Sequence, residues 1–265
     1  MEMKIIIRKA RTLIFLIKDY FKKRKLLKGY GKECYICKSK FKDFYPYQGY
    51  RKHSKFISYF DIVGSDIKHF WCLKCKSTDR ERHLFMFFDK INLWDKLENK
   101  TVIIIAPEKK LSGRLFQLNL KEFIMGDLYP EDPNVNKIDV SQINFSDNYF
   151  DFFICNHVLE HVIDDMKAIN EIYRVLKKGG YAILQTPFSN VSKYTLENPN
   201  FNTDELRREY YGQEDHLRLY GLDFFSMLTS VGFKLNIIKN SDYFSREECN
   251  YYGVNYLEDL IFVQK

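Results

Sequence analysis

The most regular alternation of apolar and polar positions lies between residues 147 and 188. Residues 150–155 form a short, almost wholly apolar run, the pattern of a strand buried on both faces of a parallel sheet. Leu159, Val162, Met166, Ile169, Ile172 and Leu176 then recur at helical spacing, with Asp164, Asp165, Lys167, Glu171 and Arg174 between them, which predicts one amphipathic helix opened by two helix-start acids. Lys177 and Lys178 fall where the negative end of the helix dipole would be. Gly179-Gly180 suits a left-handed C-terminal turn, and residues 181–184 read as the next buried strand. The polar residues of this unit, Asn156, His157, Glu160, Gln185 and Thr186, follow the strands directly, at the edge where open parallel sheets bind ligands.

The same reading extends outward. Residues 101–105 are a β-branched strand ending at Ala106-Pro107-Glu108, with a helix predicted over 109–118; proline suits a first helical turn, and Glu108 would meet the positive dipole end. Residues 122–126 are a weaker strand ending in Asp127. A polar stretch with Asn190, Asn198, Pro199 and Asn200 predicts a loop over the sheet's carboxyl edge. A helix over 222–230 stops at Gly232, and 235–238 and 260–263 close the pattern as two strands. The fold class is α/β, with no internal repeat and no membrane-spanning run.

Composition alters this picture at one end only. The net charge is +7, yet residues 1–32 hold eleven Lys/Arg against two acidic residues, so the remainder carries −2. The apolar runs of that segment are broken by Arg8, Lys9 and Arg11, and neither a cleavage site nor about 18 apolar residues follow. The expectation is a cytoplasmic protein whose residues 1–30 form a basic amphipathic helix, resting on an anionic inner membrane surface or packed on the protein. Residues 31–98 would form a cysteine module with a connecting helix, and 99–265 the α/β domain.

Four of the six cysteines are paired in the sequence: Cys34-x-x-Cys37 and Cys72-x-x-Cys75, with 34 residues between the pairs. Two such knuckles suit a closed tetrahedral structural Zn2+ site. Disulfides suit the cytoplasm poorly, and neither pair opens a helix after a strand as a redox motif would. Cys155, inside a strand, reads as core.

Asp147-x-x-Phe150-Asp151, Cys155-Asn156-His157-Val158-Leu159-Glu160-His161-Val162 and Tyr173-Arg174-Val175-Leu176-Lys177-Lys178-Gly179-Gly180 together resemble the class I S-adenosylmethionine-dependent methyltransferases, type 11-like. With the cysteine pairs, Arg80-x-Arg82-His83, Ala106-Pro107-Glu108, Asp127-Leu128-Tyr129-Pro130 and Gly212-Gln213-Glu214-Asp215-His216-Leu217-Arg218-x-Tyr220, the chain is similar to a bacterial subgroup often associated with surface-glycan biosynthesis. The resemblance implies a Rossmann-like seven-stranded sheet with helices on both faces and its last strand inserted antiparallel. It implies Asp127 at the cofactor's ribose, Asp139 and the Val140 backbone at its adenine, and Asn156 and His157 at its methionine and sulfonium end. The usual glycine-rich turn after the first strand is replaced by Ala106-Pro107-Glu108, where Glu108 would meet the cofactor's ammonium group or serve as a helix-start residue.

His216 is the candidate general base or else a loop-anchoring hydrogen-bonding residue, and Arg218 the candidate holder of an anionic substrate group, unless it pairs with Asp215 or Glu214. His161 is the other candidate base, although its place at a helix start suits a structural hydrogen bond better. The expected activity is methylation of a hydroxyl on a sugar, nucleotide sugar or lipid-linked glycan. Asn156-His157-Val158 lacks the Pro-Pro-aromatic pattern that holds planar amines. Two alternatives stand beside it. One is an RNA methyltransferase, with Lys52, His53, Lys55, Phe56, Tyr59 and Phe60 as RNA-reading residues or as a small aromatic core around zinc. The other is a non-catalytic zinc-bearing interaction protein.

Overall fold

The structure, a computed structural model, describes residues 2–47 and 55–265, with side chains from residue 12 onward. Lys52 and His53 of the proposed RNA-reading cluster lie outside the described residues. Seven strands form the central sheet: β1 (Thr101–Ile105), β2 (Glu122–Asp127), β3 (Asn136–Lys137), β4 (Phe150–Asn156), β5 (Leu176–Gln185), β6 (Lys234–Ile238) and β7 (Leu260–Gln264). Their spatial order is β6-β7-β5-β4-β1-β2-β3. Neighbours from β5 to β3 run parallel, and β7 lies antiparallel between β5 and β6, as the resemblance implied.

Because side chains alternate along a strand, β1 feeds both faces of the sheet. Ile103 and Ile105 join one core with Phe153, Cys155, Ala182 and Leu184, covered by α5 (Asp165–Val175) and α7 (Asp223–Val231). Val102 and Ile104 join the other with Phe152, Ile154 and Ile183. That second face is covered by α2 (Asp79–Lys90), α3 (Leu93–Lys96), α4 (Lys109–Leu115) and α8 (Arg246–Tyr252). α2 therefore contributes Leu84, Met86, Phe87 and Phe88 to the core of the sheet, although its sequence neighbours are the cysteines.

Several expected helix boundaries shift, and the helix expected over 109–118 ends at Leu115. The helix of the opening pattern ends at Val175, and Lys177-Lys178-Gly179-Gly180 belongs to strand β5. Phe150 pairs with Leu176 but Phe152 with Tyr181, so these residues bulge from the ladder, with Gly179 at φ +76°. The glycines serve a bulge, not a helix cap. The helix also starts later than its apolar repeat suggested: Leu159–His161 is a separate 3-10 turn, and Asp164 then caps α5 through Lys167 N–H.

The cysteine module packs around Cys34, Phe41, Phe44 and Cys72. Its short antiparallel ladder, Lys32–Glu33 with Lys40–Phe41, lies against α8, where Lys32 Nζ donates to Asn250 and Tyr251 donates to Glu33. Gly253 closes this joint in a left-handed conformation, since a Cβ there would stand 2.4 Å from the Phe44 ring. The joint is locked by Arg82. Fully buried, it donates five hydrogen bonds to the carbonyls of His69, Phe70, Ser77, Tyr252 and Gly253, and stacks over Phe44 at 3.9 Å. α1 (Glu2–Leu27) is attached by its second half, where Tyr45 donates to Asp19 and Lys42 N–H to the Leu26 carbonyl.

Replacing Arg82 by Met strands several buried carbonyls at about 1–3 kcal/mol each. Arg82→Met is expected to lose at least about 3 kcal/mol in denaturant-monitored unfolding; a loss below about 1 kcal/mol would refute this role.

Candidate active site

The strand order reverses at β1, with β2 and β3 on one side and β4 and β5 on the other, so the crevice for a ligand opens at the carboxyl ends of β1, β2 and β4. Ala106 leaves β1 at φ +50°, a conformation that glycine adopts without cost, and its N–H donates to the Gly126 carbonyl at 2.8 Å. His157 leaves β4 in the same way, at φ +54°. Both sharp turns are thus made by residues carrying a Cβ.

The Ala-Pro-Glu turn is supported from outside. Through one oxygen Glu81 of α2 accepts from Thr78 N–H while its own N–H donates to Thr78 Oγ1, a capping box, and its other oxygen accepts from Lys110 N–H at 2.6 Å and Leu111 N–H at 3.3 Å. One buried carboxylate thereby caps two helices, α2 and α4. Its own pKa is raised by burial and by the nearby Glu108 charge. Glu108 is consequently not the side-chain cap of α4. It accepts from Asn156 Nδ2 at 2.6 Å and Thr78 Oγ1 at 3.1 Å, with the Arg80 guanidinium 3.8 Å away. Thr78 and Glu81 are site residues that the sequence reading passed over, although Thr78-x-x-Glu81 carries the sequence signature of a capping box, and Arg80 stood there only as part of Arg80-x-Arg82-His83, without a role.

The remaining expected cofactor residues lie along the same edge. Asp127 is half-buried and accepts from Tyr129 N–H at 2.8 Å; exposed Asp139 accepts from the backbone and hydroxyl of Ser141; the Val140 side chain is core. Pro107 links Ala106 to Glu108. Carboxylates at the ends of adjacent strands suit a ribose diol and a cationic amine, so the donor set fits S-adenosylmethionine.

His157 faces into a buried polar network. Its Nδ1 lies 3.4 Å from Glu160 and its Nε2 3.4 Å from Glu258, which also faces His83 at 3.3 Å. Burial and Arg80 oppose its charge, but the two carboxylates prevail and raise its pKa to about 9. Burial raises Glu160, yet His157 holds it at about 2, and Glu258 is held lower still by His157 and His83. Glu258 arrives from the segment before β7, and no motif in the sequence marks it.

Beyond His157 opens a cavity of about 390 Å³, lined among others by Ser58, Asp61, Ser65, Tyr211, Gln213 and His216. It is roofed by residues 57–67 and by α6 (Asp204–Tyr211). Phe56 and Phe60 pack with Tyr210 beside this roof, while Tyr59 is exposed. Phe56 and Phe60 thus pack beside the roof and are not a core around the cysteines, which Phe41 and Phe44 supply.

His216 is buried on the cavity wall, with Nδ1 3.2 Å from the Tyr211 carbonyl, and burial lowers its pKa. Arg218 corrects the expectation of a substrate-anion holder. It is 1% exposed, pairs with both oxygens of Glu197 and donates to the carbonyls of Leu159, Val162 and Ile163. Its guanidinium is spent on fastening the loop of His216 to the turn of Glu160 and His161, and Asp215 and Glu214 are not its partners.

The four module cysteines form a second cluster, all sulfurs within 4.8 Å of one another. The knuckles repeat one geometry: Cys34 N–H to Ser39 O and Cys72 N–H to Ser77 O, Lys38 N–H to Cys34 O and Lys76 N–H to Cys72 O, with Lys38 and Lys76 both at positive φ. Cys34–Cys75 and Cys37–Cys72 sulfurs stand 3.7 and 3.8 Å apart. These separations exceed a disulfide bond and equal the edge of about 3.8 Å that a tetrahedron with zinc–sulfur bonds of about 2.3 Å requires.

Among known proteins, the family described as a methyltransferase domain matches residues 117–184, from just before β2 into β5. No curated protein matches the chain. Similar solved structures include a candidate methyltransferase of Bacillus halodurans (21% identity, TM-score 0.42, 67% of this chain and 98% of that one). Others are S-adenosylmethionine-dependent methyltransferases of Mesorhizobium loti (10%, 0.47, 68% and 98%) and Archaeoglobus fulgidus (18%, 0.42, 70% and 94%). The family match, together with the sheet order, supports a class I S-adenosylmethionine-dependent methyltransferase domain.

Glycine at position 106 would relieve the left-handed strain of a residue with a Cβ. Ala106→Gly is expected to raise the unfolding free energy by about 0.5–1 kcal/mol. The loss of stability usual for Ala→Gly, read in the same denaturant titration, would contradict this backbone geometry.

Proposed function

We propose that this protein transfers the methyl group of S-adenosylmethionine to a hydroxyl of a sugar, nucleotide sugar or lipid-linked glycan. The observation that carries the reading is the pair of carboxylates, Glu108 and Asp127, ending adjacent strands β1 and β2 at the point where the strand order reverses. When bound, the cofactor supplies a methyl group already activated by a sulfonium. Asp127 would hold the ribose hydroxyls, Asp139 and the Val140 backbone the adenine, and Glu108, fixed by Asn156 and Arg80, the cationic methionine end. The chain then has to seat an acceptor beside Asn156 and His157, align its oxygen and exclude water.

The cavity beyond His157 supports a polyhydroxyl acceptor. Its described lining offers serine and tyrosine hydroxyls, an amide and a carboxylate, groups that can hydrogen-bond sugar hydroxyls. α1 supports delivery at a lipid surface. Leu13, Ile14, Phe15, Leu16, Ile17, Tyr20 and Phe21 are exposed beside Lys18, Lys22, Lys23, Arg24 and Lys25, while no helix among the described residues is long and apolar enough to cross a membrane. For the cysteine cluster we infer a structural Zn2+, closed by four thiolates and holding the Lys32–Phe41 ladder against α8.

Calorimetric titration with S-adenosylmethionine should show one site per chain, weakened at least 10-fold by Asp127→Ala, and an acceptor screen should favour nucleotide sugars or lipid-linked glycans over RNA. Absence of cofactor binding by the wild type would sink the enzyme reading. Metal analysis of chelator-free protein should give one zinc per chain, lost in Cys72→Ser together with a lowered melting temperature; clearly less than one zinc in the wild type would overturn the assignment.

A further inference from the structure

Three neighbouring buried side-chain atoms lack what burial normally demands: Glu160 Oε1, His216 Nε2 and His157 Nε2, the last of which faces the Glu258 carboxylate at 3.4 Å. Glu160 Oε1 and His216 Nε2 are shielded from solvent and have no hydrogen-bond partner among the described residues. Leaving such atoms unpaired costs about 1–3 kcal/mol each. Glu160 and His216 form a cluster with His161: one ligand atom each from Glu160, His161 and His216 lie within 4.8 Å of one another, and His161 Nε2 is 4.0 Å from Glu160 Oε1.

We propose that Glu160, His161 and His216 bind one divalent first-row transition-metal cation, separate from the four-cysteine cluster. The arrangement around them is that of prepared ligands. Both histidines turn Nδ1 toward a backbone carbonyl, His216 to Tyr211 at 3.2 Å and His161 to Asp215 at 3.1 Å. A carbonyl only accepts, so each Nδ1 carries the proton and each Nε2 presents a lone pair. Glu160 is held by its other oxygen, which accepts from Thr186 at 3.0 Å. The two chain segments that bring the ligands together are tied by Leu217 N–H to the Glu160 carbonyl at 2.9 Å and by the Arg218 clamp.

The competing account is that protonated His157 satisfies Glu160. His157 Nδ1 stands 3.4 Å from Glu160 Oε1 without making a hydrogen bond to it, and it leaves His216 Nε2 without a partner. A cation satisfies both. Metal–ligand bonds of about 2.0–2.2 Å place tetrahedral ligand atoms about 3.3–3.6 Å apart, so the side chains need to close by only about 1 Å. Two imidazoles with one carboxylate select transition ions over calcium or magnesium. Three protein ligands leave one coordination position unfilled by protein, where a water can bind. His216 then serves as a ligand and not as the general base expected from the sequence. The inference does not depend on methyl transfer, which is read separately by cofactor binding.

The test is titration of the full chain, its zinc content measured beforehand, with Co2+ followed by calorimetry and visible absorption. One cobalt per chain should bind in addition to zinc, without the charge-transfer band of a thiolate ligand. His161→Ala and His216→Gln should each weaken it at least 10-fold while zinc content is unchanged. His161 is one-third exposed, so its variant should keep the wild-type melting midpoint and decide the matter should His216→Gln fail to fold. No saturable cobalt uptake outside the thiolates, or equal affinity in wild type and His161→Ala, would overturn the proposal.

Discussion

A guanidinium removed from water must find an acceptor for every N–H it presents, and Arg82 finds its acceptors on two distant stretches of chain, residues 69–77 and 252–253. Such a group cannot tolerate partial assembly. The cysteine module, α2 and the turn after α8 are therefore either all in place or all displaced. With α2 fixed in this way, the residues ahead of Arg82 on the same helix, Thr78, Arg80 and Glu81, reach the carboxyl end of β1.

This explains how the first turn of the crevice manages without glycines. A glycine-rich turn lets a ligand approach bare backbone amides at a helix N-terminus. Here those amides, Lys110 and Leu111, already serve Glu81, and the position next to them is held by Glu108. The crevice offers carboxylate where a glycine turn would offer N–H donors. Recognition at this end accordingly shifts toward the cationic groups of a ligand, and the cysteine module becomes part of the site's support.

Much of this was legible in the sequence where the signal is local. β1 is found to the residue because five β-branched residues in a row have few other uses, and β6, β7 and α7 are found to within a residue or two for similar reasons. The glycine pair at 179–180 misled, because the same residues suit a helix cap and a strand bulge and only pairing with β4 distinguishes them. Arg218 misled for a related reason. An arginine in a polar loop reads as a surface cation, and nothing nearby announces that its acceptors are the carbonyls of Leu159, Val162 and Ile163, more than fifty residues earlier. Glu258 was invisible because its partners, His83 and His157, are brought to it only by the antiparallel insertion of β7. The position of Asp127, by contrast, follows from strand order alone.

That insertion also sets a timetable. β7 comes later in the chain than both strands it separates, so while the polypeptide emerges from the ribosome, β5 and β6 exist before the strand that joins them, and the Glu258 partner of His157 is not yet made. Until β7 slides in, the histidine at the end of β4 has lost one of the two charges that hold it. The pocket beside it is assembled in the closing moments of folding, so a nascent chain should carry a recognisable sheet well before it carries a competent site.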